Sequence, residues 1–137
     1  MHDKSYLEVS PEAGKNFFSK GLEGPVTMLN LLRYRDVADY SQFPELAPSS
    51  PISGEEAYQL YMEHTTPLLK KAGSEVIFMG KANSFLIGPE SEKWDLVLLV
   101  RHVGAMPFLG FARDPEYLKT AGHRTAALAD SRLLPIT

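Results

Sequence analysis

The chain has 137 residues, no cysteine, and 14 Lys and Arg against 17 Asp and Glu, for a formal net charge of −3. That length fits one domain, which buries roughly two-thirds of the surface its unfolded chain exposes, enough for a core without covalent staples. The absence of cysteine excludes disulfides, thiolate metal sites and cysteine nucleophiles, and the interspersed charges lack the basic stripe that a phosphate backbone demands, so nucleic acid is not an expected partner.

Residues 1–23 read as an N-terminal extension and 24–137 as the domain proper. The extension has no apolar targeting run, and no segment approaches the roughly 20 apolar residues of a bilayer span, so a soluble, cytoplasmic protein with no membrane partner is expected. Ser10 before Pro11 and Glu12 is an N-cap with proline at the first helical position, predicting a short helix over 11–20 stopped by Gly21. The stretch GPVTMLNLLRYRD predicts a strand at about 25–34, with Val26, Met28, Asn30, Leu32 and Tyr34 on one face and Thr27, Leu29, Leu31 and Arg33 on the other. Asn30 interrupts an apolar run. A buried unpaired amide costs about 1–3 kcal/mol, so it must find a partner or face something polar. Residues 36–52 carry three prolines and no period, and predict a long loop of the kind that forms lids or stays disordered.

Ser53 and Glu56 form an S-x-x-E capping box that opens a helix at about 54, closed by Gly73, with Ala57, Leu60, Tyr61, His64 and Leu68 at helical spacing on the expected buried side. Pro67 falls inside it and predicts a kink or restart near Thr65 and Thr66, beside His64. EVIFMGKANSFLIG continues as one strand or two, and Gly88-Pro89 marks a turn. WDLVLLVRHV, 94–103, predicts a second strongly apolar strand. Helical stretches follow at about 105–112 and 115–129, the second capped by Asp114-Pro115 and weakened at Gly122. RLLPI, 132–136, is strand-like, with Pro135 confining it to an edge or a terminus.

The order strand, helix, strand, strand, helix, strand is the ferredoxin-like βαββαβ arrangement, an α+β fold whose antiparallel four-stranded sheet carries its helices on one face, here with an extra N-terminal helix. The strands beginning near 25 and 94 are its expected central pair. The second face, expected to hold Met28, Leu32, Ile77, Met79, Val97 and Leu99, is too apolar to stay wet, which predicts a homodimer through the sheet faces.

The pieces MLNLLRYRD, SGEEAYQLYMEH, WDLVLLVRH and DPEYLKTAGHRTAALADSRLLPI resemble the family called domain of unknown function 1330. The resemblance covers about residues 24–137 and is most specific at Asp114-Pro115, Tyr117, His123-Arg124, Ala127-Leu128 and Ser131-Arg132-Leu133. It implies a dimeric α+β barrel, two ferredoxin-like subunits packed sheet to sheet around a cavity. The N-terminal 23 residues and the proline-rich loop exceed the compact family core, and GAMPFLGF replaces a more polar helix start.

Strand parity offers a candidate site. If Leu96, Leu98 and Val100 face the helices, Arg101 points away. The same logic applied to Val76, Phe78 and Ala82 sends Lys81 outward, so that Asn30, Lys81 and Arg101 could share the barrel face. Two cations and an amide suit a carboxylate or an enolate-like oxygen; the other reading is a polar network at the dimer interface. His64 beside the proline kink is a candidate general base or haem ligand, or a hydrogen-bonded core histidine. Arg124, with His123, could reach a phosphate or carboxylate, or pin the last helix to a nearby acid or carbonyl. Tyr61, like Tyr58, Tyr117 and Trp94, offers a ring face to an aromatic ligand or belongs to the core.

The histidines at 2, 64, 102 and 123 show no metal-ligand spacing, and no Gly-rich phosphate loop, H-E-x-x-H or G-x-S-x-G occurs, so no metal or other cofactor is expected. The function expected is binding of a small oxygen-rich or aromatic molecule. If the chain is an enzyme, the resemblance implies cofactor-independent oxygenase, isomerase or dehydratase-like chemistry, with His64 moving the proton and Asn30 and Arg101 stabilising the anion. The alternative is a non-catalytic ligand sensor or a structural dimerisation domain.

Overall fold

A computed structural model describes residues 5–137; residues 1–4, and with them His2, lie outside the described residues. Four strands, β1 (Val26–Tyr34), β2 (Glu75–Lys81), β3 (Leu96–His102) and β4 (Leu128–Ile136), form one sheet in the order β2-β3-β1-β4, with every neighbouring pair antiparallel. β1 and β3 are central, as expected, and the architecture is the ferredoxin-like one.

Local sequence sets the helix boundaries. In α1 (Pro11–Phe18) the Ser10 hydroxyl accepts from the Ala13 N–H at 3.1 Å. In α2 (Gly54–Lys71) the capping box is complete: Ser53 Oγ accepts from the Glu56 N–H and the Glu56 carboxylate from the Ser53 N–H, both at 3.0 Å. The helix runs through Pro67 without the expected restart, because both Glu63 and Pro67 lie at its exposed surface, where water can replace the missing N–H. The expected single helix at 115–129 is instead α4 (Pro115–Thr120) and α5 (Gly122–Ala127), following α3 (Ala105–Ala112), and β4 starts at Leu128 rather than near 132. The two helices meet at Ala121, and packing keeps the next residue small: a Cβ on Gly122 would lie 2.5 Å from the Phe43 ring and 2.8 Å from Leu46.

That contact anchors the long loop expected over 36–52. The segment is an ordered strap with a 3-10 turn at Pro44–Leu46, held by Ala38 N–H to the Ile52 carbonyl and Asp39 N–H to the Ala126 carbonyl, both 2.9 Å. The N-terminal segment is tied in as well. Tyr6 donates its N–H to Asp130 at 2.9 Å, Leu7 packs on the core, and Phe17 and Phe18 of α1 cover Val26 and Met28.

Register corrects the sheet faces. Asn30 pairs with Leu98, Met28 with Val100 and Leu32 with Leu96, so the even positions of β1 share the helix side with the even positions of β3. Val26, Met28 and Leu32 are buried there, against α1, α2 and α3. In β2 a bulge between Val76 and Phe78 shifts the register by one residue, so Phe78 pairs with Leu99 on the open side, while Met79 and Lys81 pair with Leu98 and Leu96 on the helix side. The open face therefore holds Leu29, Leu31, Val97, Leu99, Phe78 and Leu134, not Met28, Leu32 or Met79. None of those six belongs to either apolar core cluster.

Candidate functional site

The apolar stripe of α2 is Ala57, Tyr58, Tyr61, Thr65 and Leu69, which seats the helix over Leu32, Leu96, Leu98 and Val100. The next flank of the helix overhangs edge strand β2 without closing on it. A cleft of about 840 Å³ opens between them, a volume within the range of small-molecule sites. Its floor is Tyr58, Met62 and Leu96, and Glu55, Glu63, Met79 and Lys81 stand around it. A depression of about 260 Å³ adjoins it, sharing Tyr34, Glu55, Lys81 and Leu96 and adding Asp95.

β1 delivers Tyr34 at its last position and the β2–β3 connection delivers Asp95 beside it. The Asp95 N–H donates to the Leu32 carbonyl at 2.7 Å, and Asp95 Oδ2 accepts from the Tyr34 N–H at 2.7 Å, continuing the ladder with a side chain. Burial pushes the Tyr34 phenol up to about 12, reinforced by the Glu55 and Asp95 carboxylates. Burial also raises Tyr58, whose ring centroid lies 6.1 Å from that of Tyr34 at an interplanar angle of 50°. Both phenols therefore stay protonated at neutral pH and can donate as well as accept.

The residues expected to form the site are not brought together. Lys81 lines the cleft, from the side opposite to the one parity assigned it, because the bulge moves it. Asn30 is on the helix side, not the barrel face, and its amide donates to the Met28 carbonyl at 3.3 Å; the choice of face failed because both faces of β1 are apolar. Arg101 pairs with Thr27 on the open face, away from both. His64 is exposed rather than buried, since the buried stripe is turned by one residue to Thr65, and its ring lies parallel to that of His123, centroids 5.7 Å apart. Tyr61 stands behind Tyr58, its hydroxyl 2.8 Å from that of Tyr117. Arg124 donates to the Leu7 carbonyl at 2.6 Å and to Ser131 Oγ at 3.3 Å, which fastens the N-terminal segment to α5 and β4. The residues that do converge, Tyr34, Glu55 and Asp95, come from three elements, and Glu55 is hidden in the sequence as an ordinary first-turn acid of α2.

Two further polar clusters lie elsewhere. His102 is buried, its Nδ1 2.7 Å from Ser74 Oγ, and burial holds its pKa down to about 4. His123 Nδ1 lies 2.7 Å from the Tyr40 hydroxyl, and burial and the nearby His64 lower its pKa. Neither touches the cleft. Among the described residues, no group of three or more His, Cys, Asp or Glu could hold a metal ion, and no helix is long and apolar enough to cross a membrane.

The chain is similar over its length to two solved structures. One is the RPA0582 protein of Rhodopseudomonas palustris, a protein of unknown function, at 32% identity and a TM-score of 0.86 over 97% of this chain and 96% of that one. The other is the methylated form of RPA0582, at 32% identity and a TM-score of 0.87 over 97% and 94%. No family model and no curated protein matches, so the resemblance to domain of unknown function 1330 gains no support from that side.

Proposed function

Since the chain belongs to the family of the RPA0582 protein, whose own function is not known, we propose from the geometry that it binds a small, largely apolar molecule in the α2–β2 cleft. The observation that carries this reading is the cleft's construction: an apolar floor of Met62 and Leu96, with Met79 at the mouth, beside two phenols that keep their protons. Aromatic ligands suit it best, because Tyr34 and Tyr58 offer ring faces set at an angle to each other. Relatedness to domain of unknown function 1330 and a cytoplasmic setting belong to the same reading.

Titration with N-phenyl-1-naphthylamine, a neutral probe that brightens in apolar surroundings, tests it. Emission should rise and saturate with the wild-type chain. Met62→Glu, which puts a carboxylate on the floor, should weaken binding about tenfold, close to 1.4 kcal/mol. Equal titration curves for the two chains would place the probe elsewhere and reject the cleft.

We also propose that the open face of the sheet pairs with that of a second copy. Leu29, Leu31, Val97 and Leu99 are only partly covered, and Phe78, Leu134 and Ile136 are more than a third exposed. Burying such a patch contributes about 25 cal/mol per Å², and a two-fold axis lets one face complement itself. Light scattering at micromolar concentration should give twice the 15.2 kDa chain mass, and Leu99→Glu should halve it. A monomeric wild-type chain would remove the dimer.

A further inference from the structure

Resting on the cleft as a ligand site, we infer that its ligand is an organic cation, an aromatic or aliphatic body carrying a protonated amine, with the ammonium seated between Glu55, Asp95 and the rings of Tyr34 and Tyr58. Four observations converge on that chemistry. The walls carry three carboxylates, Glu55, Glu63 and Asp95, against the single ammonium of Lys81, and no ion pair joins any of the four among the described residues. Tyr58 is 4% exposed and lines the cleft, and its hydroxyl, which has no hydrogen-bond partner among the described residues and is not among the fully buried polar atoms, is open to a ligand from the cleft side.

The third observation is main-chain. Pro67 has no N–H for the Glu63 carbonyl, which is left to water or a ligand, and both residues line the cleft about two helical turns from Glu55. The fourth is the tilted pair of rings, whose negative faces attract a cation by about 0.5–2 kcal/mol, more as water is excluded. An anion would meet the opposite conditions. Beside the Tyr34 phenol lie two carboxylates, close enough to raise its pKa, and the carboxylates outnumber the one ammonium, all four side chains being similarly exposed.

Three probes of nearly equal shape decide the matter: protonated phenethylamine, neutral 2-phenylethanol and anionic 3-phenylpropionate, titrated at low ionic strength by chemical-shift perturbation. The amine should bind about tenfold more tightly than the alcohol, and the acid most weakly. Glu55→Gln should bring the amine down to the alcohol while leaving the alcohol unchanged. Glu45→Gln, an exposed acid outside the cleft, should leave the order as it is in the wild type. The inference is overturned if the acid binds best, if amine and alcohol bind equally, or if the two glutamate variants lose the amine alike. If the alcohol and N-phenyl-1-naphthylamine also fail to bind, the cleft reading falls with it; if both bind, the loss is confined to the charge preference.

Discussion

Replacing Gly54 by alanine should lower the midpoint of thermal unfolding by roughly 10 °C or more, although glycine to alanine in a helix normally stabilises by up to about 1 kcal/mol. Gly54 is the first residue of α2, and its N–H donates to the Arg35 carbonyl at 3.0 Å. An added Cβ would fall on that carbonyl oxygen, 2.6 Å from the Ala127 carbonyl oxygen and 2.7 Å from the Arg35 nitrogen. All three are main-chain atoms, and Arg35 N–H is itself bonded to the Ala127 carbonyl at 2.8 Å. No rotamer can relieve the clash, so the end of β1, the start of α2 and the end of α5 must move apart, at about 3 kcal/mol or more. Differential scanning calorimetry is the measurement, and a midpoint within about 2 °C of wild type would refute the close approach.

Trp94→Ala should cost about 3–5 kcal/mol, whereas Trp94→Phe should cost about 1–2. The indole is 2% exposed, and the Arg33 and Arg132 guanidinium carbons stand 5.0 and 4.9 Å from its ring centroid. Removing the ring opens a cavity and strips Arg33 of its ring contact, while Arg132 keeps the Tyr6 ring at 4.9 Å. Phenylalanine restores most of the volume and a π face, and because Trp94 Nε1 is buried with no hydrogen-bond partner among the described residues, it sacrifices no bond. Urea unfolding followed by circular dichroism separates the two, since the chain has one tryptophan and the substitutions remove its fluorescence. Equal losses for the two variants would refute the assignment of the effect to restored ring volume and π face.

The fold was legible wherever chemistry is local. Ser10, Ser53 with Glu56, and Asp114 announce helix starts three residues or fewer ahead, and each makes the bond that its type and spacing imply. Element order then sufficed for topology. The candidate site was less legible, because it depends on which way side chains point. β1 is apolar on both faces, so alternation could not say whether Asn30 looks toward the helices. One extra residue in β2 reversed the assignment of Lys81. In α2 a polar residue, Thr65, is buried where His64 was expected, a one-residue turn of the stripe that hydrophobicity alone could not detect. Tyr34 and Asp95 are 61 residues apart in the chain and meet through a single hydrogen bond.

The bulge at Ile77 also governs how the molecule meets others of its kind. β2 is an edge strand, and Phe78 and Met79 on it are more than half exposed, which is the composition that invites another chain to add itself as a fifth strand. A register break in the middle of seven residues leaves no run of regular donors and acceptors long enough to template such an addition. Met79 and Lys81 can thus remain at an open mouth of the cleft, accessible to small molecules, while the edge that carries them resists polymerisation.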